Sequence, residues 1–305
     1  MSPSEAPARR NCGQMVVHEW LVETRPEYRE RRLEAETRTR ESIRSGEALR
    51  VVAELITLRV VVHVVHRAPE ENISDAQVKS QIKVLNRDFR LKNPDKRNTP
   101  AVWKGLLTDT NIEFVLATED PDGNPTTGIT RTATTVESFG VDDGVKSSAS
   151  GGVEPWPTDH YLNFWVCRLS NNLLGYAQFP GGPAETDGVV MLYTAFGTQG
   201  TAQSPFNLGR TATHEVGHFL GLRHIWGDRN DGTGNDFVTD TPPAMQGNMG
   251  KPRFPHISMD NGPNGDMFMN YMDYVDDDTM FMFTSGQVAR MNASLAGPRQ
   301  VLAGL

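Results

Sequence analysis

Cysteine is scarce in this chain of 305 residues. Only Cys12 and Cys167 occur, too few for a disulfide framework. Long hydrophobic runs are missing as well. The longest apolar stretch, residues 60–65, is interrupted by His63 and falls far short of the ~18 residues that cross a bilayer. Positive charge is in deficit: 30 Lys+Arg stand against 38 Asp+Glu, a net −8. So acidic a chain is a poor candidate for nucleic-acid binding, which needs phosphate neutralisation. Residues 1–10 lack the apolar segment of a secretory signal, so none is expected in this stretch. The 37% of hydrophobic residues excludes global disorder. With 28 Gly and 19 Pro, a loop-rich globular protein is expected, long enough for a sizeable core.

The first fifty residues differ from the rest. Between Arg25 and Arg44, 12 of 20 residues are charged, with signs mixed, which predicts a solvated helix without a core face or a mobile segment. Residues 55–66 (LITLRVVVHVVH) are rich in β-branched side chains and predict a buried strand. Ser74 and Gln77 form a capping-box pattern that opens a helix to about Phe89, with Val78, Ile82, Leu85 and Phe89 on one face. Residues 111–118, 128–135, 161–169 and 188–194 read as further strands, and Gly-, Pro- and Ser-rich joints separate them. Cys167 lies in one of these apolar strands and is most simply a buried thiol. A helix is expected over residues 207–222. The stretch 226–283 is dense in Gly, Asp, Asn, Pro and Met without periodicity, and Thr284 with Gln287 caps a last helix to about Ala296. So long an irregular run inside a domain points to a functional loop region or to bound ions.

The chemistry is concentrated in His214-Glu215-Val216-Gly217-His218-Phe219-Leu220-Gly221-Leu222-Arg223-His224. On a helix, His214 and His218 share one face, one turn apart. That spacing suits two nitrogens around one zinc ion. Glu215 adjoins the first ligand and can reach an attacking water without binding the metal. Gly221 allows the chain to leave the helix sharply, and His224 then returns as a third ligand. Three protein nitrogens leave one tetrahedral position open, the mark of a catalytic zinc. Amide hydrolysis with Glu215 as general base and acid is the expected chemistry. The alternatives are a catalytically silent zinc-containing binding module on the same fold and a hydrolase of non-protein amides.

HExxHxxGxxH followed by Asn270-Tyr271-Met272-Asp273-Tyr274 is the metzincin signature with its Met-turn. Together with DFVTDTP, GDMFMNYMDY and MFMFTSGQ, it resembles the pappalysin family over nearly the whole chain. The resemblance implies an α/β (α+β) metzincin-like fold. Its upper lobe, residues 51–224, would hold a mixed twisted sheet, a backing helix and the active-site helix. Its irregular lower lobe, residues 225–305, would hold the Met-turn and the C-terminal helix. Residues 1–50 would be a pro-segment in which Cys12, within Arg10-Asn11-Cys12-Gly13, binds the zinc of the latent form. Cleavage near Arg44 or Arg50 would then activate the chain.

The resemblance further assigns Met272 to the floor beneath the zinc and Tyr274 to oxyanion stabilisation. Gly175, Tyr176 and Ala177 fall in an edge strand on which a substrate adds antiparallel. Asp236, Thr239 and Thr241 would bind calcium, with Asp228, Asp231 and Asp240 nearby. Among Asp276, Asp277 and Asp278, the last is favoured as the carboxylate selecting Arg or Lys after the scissile bond. The family commonly has cysteines between the third histidine and the Met-turn; this sequence has none over residues 226–272, which would leave more of the ordering to calcium. Polypeptide substrates, inhibition by the pro-segment, an extracellular setting and a monomer complete the expectations, with neither nucleic acid nor membrane as partner.

Overall fold

A computed structural model describes residues 7–47 and 55–305. Its sheet has the order β2–β1–β4–β6–β5, with β3 alongside the second half of β1. The strands are β1 (Ile56–His66), β2 (Ile112–Leu116), β3 (Ile129–Ala133), β4 (Leu162–Cys167), β5 (Gly175–Ala177) and β6 (Val189–Leu192). All pairings are parallel except β5 with β6. β4 is buried along its whole length, as its uninterrupted apolar run requires in a sheet covered on both faces. Cys167 is buried and free.

Helix α3 (Asp75–Phe89) backs the sheet through Val78, Ile82, Leu85 and Phe89, all buried. Ser74 caps it by accepting from Gln77 N. The reciprocal half of the expected capping box is not made. The Gln77 amide instead donates to Tyr193 O and Phe196 O, 3.1 and 2.9 Å away, and so ties α3 to the segment after β6. Helix α4 (Arg210–Phe219) is fully buried. It is shorter than the expected 207–222, because Gly221 adopts φ +95° and turns the chain out after Leu220.

The lower part has a two-residue pair, β7 (Met249–Gly250) with β8 (Tyr274–Val275), and helices α5 (Ser285–Ala296) and α6 (Gln300–Ala303). Thr284 and Gln287 form the complete capping box of α5. Asp240, near the expected calcium ligands, serves the same helix end. It accepts from Thr284 Oγ1, Ser285 Oγ and Gly286 N at 2.6–2.9 Å, where a helix N-terminus favours negative charge.

The N-terminal segment forms α1 (Gln14–Thr24) and α2 (Pro26–Ser45). Contrary to the expectation of a helix without a core face, α2 buries Tyr28, Arg32, Ala35, Glu36, Thr39 and Ser42. These positions recur at helical spacing, but most are polar, so hydrophobic patterning conceals the face. Glu36 bonds bidentately to Arg290 of α5 at 2.9 and 3.1 Å. The expected boundary between residues 50 and 51, and Arg50, lie outside the described residues.

Candidate active site

Helix α4 presents His214 and His218 toward one point, and the turn at Gly221 brings His224 to the same place. The three Nε2 atoms lie 3.1–3.2 Å from one another. Each ring is oriented through Nδ1: His214 donates to Tyr271 O at 2.7 Å, His218 to Leu222 O at 2.8 Å, and His224 meets Asp228 Oδ1. A carbonyl can only accept, so Nδ1 carries the proton and Nε2 presents a bare lone pair. Burial, reinforced by the neighbouring imidazoles, pushes His214 and His218 well below the usual histidine range, so both are neutral. Three inward lone pairs repel unless a cation lies among them. Ligands about 2.0–2.1 Å from a tetrahedral zinc would be about 3.3–3.4 Å apart, close to the observed spacing. The residues fit the ion the motif implies.

Met272 packs directly beneath α4. A Cβ at Gly217 would come within 2.4 Å of its sulfur, so glycine is required for this approach. Trp226 stacks on the His224 imidazole at 4.4 Å, and Tyr274 stands edge-on to both rings, with centroids 4.8 and 4.7 Å away. The Tyr274 hydroxyl is 3.5 Å from Cys12 O. Burial, with Cys12 and Glu215 adding to it, pushes that hydroxyl well above its ordinary value, so it remains a donor. Glu215 is buried and its carboxyl is pushed up to about 8 by burial. Its Oε1 has no hydrogen-bond partner.

Cys12 fills the remaining side of the cluster. Its Sγ and the three imidazole nitrogens all lie within 4.8 Å of one another, and Sγ is 3.4 Å from Glu215 Oε2. Burial, then the Glu215 carboxylate, pushes the thiol well above its ordinary value. Residues 11–14 occupy the outer edge of β5: Leu174 N donates to Asn11 O, Gly13 N to Gly175 O, and Ala177 N to Gln14 Oε1, at 2.9–3.1 Å. The Cys12–Gly175 bridge is parallel, opposite to the direction expected for a substrate. Tyr176 is fully buried and pairs with Val190 of β6, while the outward backbone groups of this strand bonded here are Gly175 O and Ala177 N.

Arg10, to which the sequence assigns no role of its own, is inserted beside the site. Its Nη2 donates to Asp277 Oδ1 at 2.6 Å, Nη1 to Thr211 Oγ1 at 2.9 Å, and Nε to Val275 O at 3.2 Å. The guanidinium lies 4.9 Å from the Phe206 ring centroid. Asp277 Oδ2 accepts from Leu208 N and Arg210 N at the start of α4. Asp278, the favoured candidate, is exposed and pairs with Lys251 and Thr279, whereas Asp277 is the buried carboxylate facing a cation. The only signal for Arg10 was its place two residues before Cys12, and for Asp228 its place four residues after His224.

The expected calcium residues are not gathered into one constellation. Asp236 and Thr241 are buried and bonded to each other at 2.8 Å. Thr239 is exposed, Asp228 holds His224, and Asp240 caps α5. Burial pushes Asp236 up to about 6.

A three-histidine cluster on a helix and its return, under a mixed sheet and above a methionine turn, defines a metzincin-type metalloprotease. The chain belongs to the pappalysin family: the Peptidase M43 model, described as pregnancy-associated plasma protein-A, matches residues 150–296. An extracellular metalloprotease of Arthroderma otae is 32% identical, covering 77% of this chain and 76% of that protein. One from Pyricularia oryzae is 30% identical, covering 79% and 75%. A promirolysin mutant of Tannerella forsythia superposes with a TM-score of 0.88 at 46% identity, over 96% of this chain and 97% of that one. Mature mirolysin of the same organism, in complex with a cleaved peptide, gives 0.80 at 50% identity, over 82% and 96%.

Asp273, next to the floor methionine, is buried and accepts from Asn248 N, Asn248 Nδ2 and Tyr274 N at 2.8–2.9 Å. Burial pushes its carboxyl up to about 7. The folded value exceeds the unfolded one of about 3.9, so the stability it contributes is present below that value and lost as pH rises through the folded one. Asp273→Asn removes this loss. The Tm of the variant relative to the parent should rise from about pH 4 to about pH 7 and then level off; a constant offset contradicts the assignment.

Proposed function

We propose that His214, His218 and His224 hold a zinc ion through Nε2, and that Glu215 is the general base and acid of an endopeptidase cutting before Arg or Lys. The observation that carries this reading is the convergence of three bare Nε2 lone pairs beside a buried carboxylate. When bound there, zinc supplies Lewis acidity, acidifying a water molecule and polarising the scissile carbonyl. Glu215 takes the proton of the attacking water and passes it to the leaving amide nitrogen. Tyr274, kept protonated by burial, donates to the developing oxyanion. Met272 packs under α4 and holds the ligand-bearing turns in place.

The direction of a substrate follows from β5. A polypeptide adds antiparallel through Gly175 and Ala177, which sends the residue after the scissile bond toward Asp277. Arg10 already makes the contacts that an Arg or Lys of a substrate would make there. Residues 1–50 are accordingly a latency segment, with the Cys12 thiolate as the fourth ligand. The difference in coverage between proform and mature mirolysin, 96% against 82% of this chain, supports a segment of about this size. The names of the fungal relatives support an extracellular enzyme.

After processing of the full chain, mass mapping of a peptide library finds cuts before Arg and Lys. Glu215→Gln lowers cleavage by at least about a hundredfold, the scale of a lost general base, with zinc still bound, and Asp277→Asn flattens the Arg/Lys preference. Cleavage retained by Glu215→Gln overturns its role. Cys12→Ala cleaves a reporter peptide before any processing, and a variant as latent as its parent sinks the thiol lock. Calcium at Asp236 and Thr241 is supported by the burial of Asp236 with no cationic side chain within ion-pair distance among the described residues; a chelator preferring calcium to zinc should then lower the Tm, and an unchanged melting curve removes calcium.

A further inference from the structure

Helix α2 covers a cationic shelf that belongs to the rest of the chain. Arg290 of α5 and Arg223, just beyond α4, converge on Phe237 with guanidinium-to-centroid distances of 5.9 and 5.1 Å. Phe237 is held at φ +61° and is 38% exposed. Arg290 is buried, and Glu36 of α2 is the carboxylate it pairs with among the described residues. Arg223 has no ion pair among them, and the Nε atoms of both arginines lack a hydrogen-bond partner. The two nearest carboxylates outside α2 are engaged elsewhere, Asp228 with His224 and Asp236 with Thr241 Oγ1 and Val238 N. Arg32 and Arg40, the other cations around Glu36, lie on α2 itself. A departing α2 thus takes with it the one carboxylate that, among the described residues, forms an ion pair on the shelf, and leaves two arginines beside an aromatic ring.

The shelf lies along the cleft. Arg290 Nη2 is 3.4 Å from Gly221 O, at the turn that follows the zinc helix. The covering segment itself runs from the histidines to the shelf: the Phe179 ring meets His218 at 5.8 Å, His18 of α1 at 5.3 Å and the Arg32 guanidinium of α2 at 4.7 Å, and Glu36, one turn further along α2, reaches Arg290. Arg10 and the chain beyond Cys12 lie on opposite sides of the histidines. With Arg10 on the side of the residue following the scissile bond, α1 and α2 lie over the ground of the residues that precede it.

We propose that loss of the N-terminal segment uncovers a subsite in which Arg290 and Arg223, over Phe237, bind the carboxylate of a Glu or Asp lying N-terminal to the scissile bond of a polypeptide substrate. Glu36 occupies this subsite in the latent chain, as Arg10 occupies the pocket at Asp277. The inference rests on the endopeptidase reading and on departure of the segment. Charge-assisted, bidentate pairing of Arg with a carboxylate gives both strength and geometry, and stacking on an aromatic ring holds the guanidinium in place.

The test uses the full chain after processing, with peptides carrying Arg after the scissile bond. Each of the four preceding positions is varied in turn through Glu, Ala and Lys. At one or two positions kcat/KM should favour Glu over Lys by about tenfold or more, a difference of about 1.4 kcal/mol. In Arg223→Gln and Arg290→Gln the Glu/Lys ratio should fall below about twofold. Arg223 is partly exposed, so Arg223→Gln decides the matter alone if the buried Arg290 variant does not fold. Normal cleavage with no acidic selection, or selection that survives in Arg223→Gln, overturns the subsite and leaves the protease reading intact. No cleavage of any peptide by the processed parent overturns the protease reading itself.

Discussion

Three imidazole lone pairs confined within 3.1–3.2 Å of one another are the constraint on which this structure depends. Lone pairs so placed repel, and a cation turns the repulsion into attraction. Each ring must therefore be fixed from behind, and the fold devotes three separate elements to that task. The Met-turn supplies Tyr271 O, the turn after the histidine helix supplies Leu222 O, and the following loop supplies Asp228. The close contact of Met272 with Gly217 fits the same requirement, since it fixes the height of the helix above the turn that orients His214.

The N-terminal segment is held by groups that suit a substrate, presented in the opposite chain direction. Its backbone takes the outer edge of β5, its thiol faces the histidines, and its arginine meets Asp277. The parallel run of Cys12 along Gly175 places a backbone of reversed polarity in the cleft. Helix α2 adds a buried ionic contact, Glu36 with Arg290, whose loss leaves an uncompensated cation.

The lower part achieves order without disulfides over residues 226–272 by burying carboxylates among matched donors. Asp266 accepts from Ser258, Asn261 and Asn248, Asp273 from Asn248 and Tyr274, and Asp240 from three groups at the start of α5. Such networks of buried polar groups rigidify a loop region. Part of the acidic density of this stretch therefore serves the architecture of the loops. Several of its carboxylates are capping or crosslinking groups, and composition does not distinguish those roles.

The sequence by itself determined what depends on neighbours along the chain. A helix repeats every 3.6 residues, so His214, Glu215 and His218 could be placed on it, and Gly221 marked the turn that returns His224. The capping box at Thr284 and the β-branched strand before His66 are local signals of the same kind. Only the tertiary structure decided which of three consecutive aspartates faces the site. Their side chains leave a turn in different directions, and the partner that distinguishes Asp277 is Arg10, 267 residues away. The buried face of α2 was hidden for a related reason: its partners are charged and distant, and hydrophobic periodicity registers neither. Local spacing carries chemistry that one element can assemble, whereas pairing across the fold depends on where the chain goes.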